Sequence, residues 1–158
     1  MSVQDDLTFR DARPDDLAAV LFLLADDTSN APRIAPPDPS DPRHIAALAE
    51  IDADPNNRLI VVERAGEIIG TFHLTVIPGV SLKAGRRLQV EAVRVRSDCR
   101  STGIGRVMMR WAEDYAREKA CILLQLTTDR SRDGRARKFY ESLGFAASHD
   151  GMKLRLDR

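Results

Sequence analysis

Along this chain of 158 residues the apolar positions change period several times, and each change marks an element. Leu7–Arg10 predicts a short strand. Pro14 then begins a helix, with Asp15 and Asp16 in the first turn, where carboxylates suit the helix dipole. Leu17, Val20, Leu21 and Leu24 form its apolar face. The segment Ala31–Pro42 holds five prolines and reads as a loop of restricted backbone. Behind it, Asp41 is a predicted N-cap and Pro42 a first helical residue, followed by Ile45, Leu48 and Ala49 at helical spacing.

Arg58–Arg64 and Ile68–Val76 read as two strands joined by a turn at Ala65-Gly66. Pro78-Gly79 opens a loop. Arg87–Arg96 is β-rich and leads to Arg100-Ser101-Thr102-Gly103-Ile104-Gly105. Val107, Met108, Trp111 and Tyr115 then mark a buried helix face. Cys121–Thr127 is almost continuously apolar, the pattern of a strand covered on both faces. Ala136, Phe139, Tyr140 and Leu143 form another helix face, closed by Gly144 as C-terminal cap. Phe145–His149 and Met152–Leu156 flank Asp150-Gly151, a hairpin signal. The order is strand, two helices, three strands, helix, strand, helix, two strands. It predicts an α/β fold, a mixed sheet with helices on both faces. With no internal repeat and no dividing linker, one domain is expected over residues 1–158.

Charge narrows the function. The 24 basic and 24 acidic residues cancel, whereas a nucleic-acid binder usually shows a basic surplus. Arg94, Arg96, Arg100 and Arg106 still make a local basic cluster. The two cysteines, Cys99 and Cys121, form neither a disulfide framework nor a CxxC motif. His44, His73 and His149 lack metal-ligand spacing, so no metal site is expected. No signal-peptide core and no bilayer-length apolar run is present, which points to a cytoplasmic protein without a membrane partner.

Small residues beside an arginine at a helix start suit close approach of backbone to an anion. A nucleotide-hydrolysing loop needs Lys-Ser/Thr after its second glycine, and none follows Gly105. A dinucleotide fingerprint needs a third glycine where Met108 stands. What remains is a loop in which Gly103 and Gly105 turn the backbone, the helix N-terminus adds partial positive charge, and Arg100 and Arg106 supply charge-assisted bonds. That arrangement suits a pyrophosphate. The bland reading is a plain strand-to-helix turn.

This loop resembles the acyl-coenzyme A pyrophosphate loop of the GNAT superfamily of N-acetyltransferases. "VEAVRV" (Val90–Val95) before it and "ARKFYESLGF" (Ala136–Phe145) after it are similar to that family too, and the element order from Leu7 to Leu156 agrees. The resemblance implies a mixed, mostly antiparallel central sheet of the GNAT-type acyl-CoA fold. It implies acetyl-CoA as co-substrate and a small-molecule or peptide amine as acceptor, attacked directly in a ternary complex. Dimerisation is common in the family.

Residue by residue, the fourth and fifth strands would splay, leaving the backbone of Val93 and Val95, with Arg94 between them, to pair with the pantetheine arm. Arg100, Ser101, Thr102, Gly103, Ile104, Gly105 and Arg106 would cradle the pyrophosphate. The family's asparagine ahead of the "FYE" motif is Asp133 here, which when ionised accepts hydrogen bonds but does not donate them. Glu91 resembles the family's general base and Tyr140 its general acid, while the Val93 N–H would polarise the thioester carbonyl.

Each role has a plainer rival. Glu91 is a solvated strand glutamate or pairs with Arg87 or Arg94. Tyr140 packs in the core, Trp111 packs a helix, His73 is core or surface, and Cys99 is a bystander beside arginines. The acceptor would enter between Asp27–Pro42, which is acidic, and Pro78–Arg86, which is basic, so its class stays open. A non-catalytic acyl-CoA-binding or regulatory module is the alternative function. A nucleotide or phosphate-ligand domain is a third.

Overall fold

The computed structural model describes residues 6–26, 37–128 and 134–156, and the chain divides into two compact units, 1–126 and 127–158. In the first unit, the strands β1 (Thr8–Asp11), β2 (Asn57–Arg64), β3 (Glu67–Ile77), β4 (Arg86–Val95) and β5 (Cys121–Leu126) form one sheet in the order β1-β2-β3-β4-β5. Neighbours are antiparallel except β4 and β5, which run parallel. A one-turn helix, α3 (Ser81–Ala84), lies between β3 and β4; parallel neighbours need a longer crossover, and between β4 and β5 it is the helix α4 (Ile104–Glu118).

Helices cover both faces. On one face, α1 (Leu17–Ala25) and α2 (Pro42–Ala53) close over Val61 and Leu59 through Leu17, Val20 and Leu48. The N-terminus of α2 forms as the sequence predicts: the Asp41 carboxylate accepts from the Arg43 N–H at 2.9 Å, and Pro42 follows. Pro14–Asp16 is one 3₁₀ turn leading into α1, and Asp16 accepts two bonds from Arg10 at 2.6 and 3.0 Å. On the other face, Trp111 of α4 stacks on Phe9 at 5.3 Å and meets Phe72 edge-on at 5.8 Å. The Arg58 guanidinium lies 5.6 Å from the Trp111 ring. Gly70 lets α4 approach, because a Cβ there would sit 3.1 Å from the Arg94 carbonyl oxygen and 3.2 Å from the Met108 sulfur.

Between β4 and β5 the ladder runs only from Arg86↔Cys121 to Val90↔Leu126. One residue later β4 is irregular on its other side. His73 opposes Glu91 and Thr71 opposes Arg94, so Ala92 and Val93 together face Phe72. This is a β-bulge, and Ala92 carries it with φ of +52°. The kink lies just past the last β4–β5 pair, where β5 itself ends at Leu126.

The second unit contains α5 (Arg135–Glu141). Its C-terminus is a Schellman motif: the Phe145 N–H donates to the Tyr140 carbonyl at 3.1 Å, and the Gly144 N–H to that of Glu141 at 3.0 Å. Gly144 at φ of +93° is the left-handed residue this requires. The hairpin expected across Asp150-Gly151 does not form; residues 145–156 contain no strand. Ala146, Ala147 and Lys153 in its arms are of types depleted in strands. The Ser148 N–H is spent locally on the Ala146 carbonyl, and Met152, Leu154 and Leu156 stay exposed without a packed face to align them. Among the described residues no helix is long and apolar enough to cross a membrane.

A left-handed backbone costs an L-residue about 1–2 kcal/mol, and a β-branched one more. Ala92→Val should therefore lower unfolding free energy by roughly 1–3 kcal/mol, while Ala92→Gly should stay within about 1 kcal/mol of wild type. Urea unfolding of the two variants tests this.

Candidate active site

Past Val90 the outer side of β4 has no partner strand among the described residues. The Arg96 N–H donates to the Ile69 carbonyl at 2.8 Å, and Arg94 pairs with Thr71. Backbone direction alternates along a strand, so residues 94 and 96 serve β3 while Val93 and Val95 aim their N–H and C=O groups away from it. Both carbonyls accept from guanidinium groups instead. That of Val95 takes Arg100 Nε at 2.9 Å, and that of Val93 takes Arg94 Nη1 at 2.9 Å. The backbone that the sequence assigned to pantetheine is thus turned to the open side of the sheet.

The loop that follows differs in detail from the sequence reading. Gly103 is left-handed with φ of +92°, but its partner is Ser101 at +62°, not Gly105. Gly105 lies inside the first turn of α4, where its missing side chain leaves backbone approachable. Ser101 and Gly103 alternate with Thr102, which has no positive φ, and such alternation gathers successive N–H groups into a concavity for an anion. The concavity joins the N-terminus of α4, which has no side-chain cap. Thr102 Oγ1 braces the loop by donating to the Cys99 carbonyl at 2.7 Å.

Arg100, expected to reach the pyrophosphate, has its guanidinium on protein groups: the Val95 carbonyl, and the carbonyl and carboxylate of Asp26 at the end of α1. The Asp26 carboxylate, with its side chain 6% exposed, also accepts from the Ser97 N–H at 2.9 Å. Asp26 therefore ties α1 to the loop, a role sequence reading missed because the partners are some seventy residues apart. Arg96 pairs with Asp98 at 2.7 Å and Glu67 at 3.1 Å. Of the four clustered arginines, Arg106 is the exposed one, in the first turn of α4.

Glu91 is exposed at the foot of the bulge, and neither Arg87 nor Arg94 forms an ion pair or hydrogen bond with it. Directly across on β3 stands His73, half-buried, neither core nor plain surface. Burial holds its imidazole below the ordinary value, opposed by the Glu91 charge. Its Nε2 lies 3.2 Å from Asn57 Oδ1, which also accepts from Thr75 Oγ1 at 2.7 Å. Sequence alone could not find this group, since it needs the register of three strands.

In the second unit, the Tyr140 ring packs edge-on against Phe139 at 5.1 Å and Phe145 at 5.7 Å. The Phe145 contact is the apolar one that accompanies a Schellman motif. Asp133 and residues 27–36 of the expected acceptor loop lie outside the described residues. Cys99 is buried, with Arg64 Nη2 at 3.2 Å from its sulfur. Among the described residues no group of three His, Cys, Asp or Glu side chains could hold a metal ion.

This arrangement of sheet and helices has counterparts among known proteins. The Acetyltransferase (GNAT) family matches residues 21–145. A transcriptional regulator from Bacillus halodurans C-125 is 39% identical, with a TM-score of 0.86, over 95% of this chain and 99% of its own. An acetyltransferase of Trypanosoma brucei is 25% identical, with a TM-score of 0.73, over 96% of this chain and 100% of its own. A predicted acetyltransferase from Clostridium acetobutylicum, solved with acetyl-CoA, is 19% identical, with a TM-score of 0.71, over 95% and 96%. No curated protein matches the chain. By the match over most of its length, and by its fold, the chain belongs to the acetyltransferase (GNAT) family.

Proposed function

We propose that the protein is an N-acetyltransferase, residues 1–158 acting as one domain, that moves an acetyl group from acetyl-CoA to a primary amine of a small molecule or peptide. The observation that carries this reading is the continuity of β4 and its loop. Open backbone at Val93 and Val95 leads within a few residues to the left-handed pair Ser101 and Gly103 and the start of α4. An extended amide-bearing arm ending in a pyrophosphate needs those two features in that order.

Acetyl-CoA supplies the activated acetyl group as a thioester. The backbone N–H groups from Ser101 to Arg106, with the Arg106 guanidinium, hold its pyrophosphate; Arg100 keeps the loop in shape from behind. Val95 offers its N–H to a pantetheine amide, with Arg94 beside it. The Val93 N–H, turned outward by the bulge, suits the oxygen where negative charge develops. Glu91 accepts the proton that the acceptor ammonium must lose before its nitrogen has a lone pair. Tyr140 donates to the departing sulfur. Asp133, in the family's asparagine position, accepts from the pantetheine arm. The protein works in the cytoplasm, as a homodimer in keeping with family habit, with no nucleic-acid or membrane partner.

The relative described as a transcriptional regulator favours a second reading, an acyl-CoA-binding module without turnover. Calorimetry with acetyl-CoA, ATP and NAD, followed by thiol release over an amine panel, separates the two. Micromolar binding of acetyl-CoA alone, with release for some amine, supports the enzyme; binding without release supports the module. Glu91→Gln should lower kcat about 100-fold or more and leave acetyl-CoA affinity unchanged. Arg106→Ala should weaken acetyl-CoA about tenfold with Tm unchanged, whereas Arg100→Ala should lower both affinity and Tm.

A further inference from the structure

The polar strip Asp54, Asn57, His73 and Glu91 is not accounted for by cofactor binding. Asn57 Nδ2 donates to Asp54 Oδ2, and Thr75 Oγ1 donates to Asn57 Oδ1. The amide is therefore fixed with its oxygen toward His73. An oxygen only accepts, so at 3.2 Å the His73 Nε2 must carry the proton. Neutral His73 then bears its lone pair on Nδ1.

His73 and Glu91 are register partners on β3 and β4, so their side chains leave the same face about 5 Å apart at Cβ. That face is the one beneath α1 and α2, because Leu59, the partner of His73 on β2, packs in their cluster. The charged groups on this face of β4 are Arg87, Glu91 and Arg94, of which Glu91 is the register partner of His73 and the one whose charge acts on the imidazole; on the β2 side Asp54 lies behind Asn57. Residues 71, 72, 74 and 75 of β3 and all of α1 carry no ionisable side chain, and Glu50 and Asp52 of α2 are exposed. A carboxylate of ordinary acidity is several units too weak a base for an ammonium, and a neutral imidazole is a better sink.

We propose that His73 is a relay residue that acts through Glu91. The acceptor ammonium gives its proton to the Glu91 carboxylate, the resulting acid passes its O–H proton to His73 Nδ1, and the regenerated carboxylate faces an imidazolium held by Asn57 Oδ1. One N–H bond breaks at the amine and one forms at His73, after which the imidazolium returns the proton to solvent. The relay rests on the acetyltransferase reading above, but its geometry is testable without turnover.

The test is a ¹⁵N-histidine NMR titration of the whole protein and of Glu91→Gln, with His73→Gln to assign the signal. The expected result is an Nε2–H tautomer at pH 7, a midpoint below 6.5, and a further fall of that midpoint in Glu91→Gln, because a negative charge that favours imidazolium is gone. An Nδ1–H tautomer, or a midpoint indifferent to Glu91→Gln, overturns the relay. The kinetic arm uses acetyl-CoA with whichever panel amine gives release. His73→Gln keeps a donor for Asn57 but cannot take the proton. It should lower kcat/KM for the amine roughly tenfold to a hundredfold, leave KM for acetyl-CoA unchanged, and abolish the acidic limb near the His73 midpoint. An unchanged pH profile overturns the proposal. If wild type releases no thiol with any amine, the transferase reading falls and the relay with it. If wild type turns over but the two residues are uncoupled, only the relay falls.

Discussion

Every buried backbone N–H and C=O must find a partner, and β4 cannot meet that demand equally on its two sides. It stays bonded to β3 through Arg96, whereas its ladder with β5 stops at Val90, opposite the last residue of β5. The bulge at Ala92 accommodates this: the strand gains a residue and turns, and Val93 and Val95 have no partner strand on that side among the described residues. The carbonyls on this side are met by Arg100 and Arg94. Most of the candidate site follows. Glu91 stands at the foot of the kink, and the loop carrying Ser101 and Gly103 follows on its far side.

The fold of the first unit was largely legible in the chain. Period-2 alternation, the Ala65-Gly66 turn and the helix face around Trp111 are local signals, and the structure agrees with each; the apolar run at Cys121 does form a strand, but Ile122 and Leu123 are exposed, so it is not covered on both faces as its pattern predicts. The Met152–Leu156 arm shows the limit. Its alternation is clear, but alternation describes which face a strand would bury and does not by itself supply a partner strand. Asp150-Gly151 is likewise permissive of a turn, and does not compel one.

The candidate site was legible in its backbone and much less so in its side chains. Glycine at 103 announced a left-handed turn, whereas Ser101 shares that conformation with no composition to betray it. Arg100 looked like a ligand group because arginine near a glycine loop so often is. Its partner Asp26 is remote in sequence, and long-range ion pairs leave no periodic trace. His73 was invisible for a related reason: its meaning comes from Glu91 on one side and Asn57 on the other, and only the register of β2, β3 and β4 supplies both.

The bridge at Asp26 has a dynamic consequence. The residue is held by its carbonyl and by its carboxylate, and both are gripped by groups between Ser97 and Arg100. The last turn of α1 therefore cannot fray without releasing the loop, and the loop cannot open without exposing the end of α1. The two segments form one cooperative opening unit in the native ensemble, although seventy residues of chain separate them. Amide protection in the loop is set by the helix end as well as by its own turns, and energetic changes in the two places do not sum.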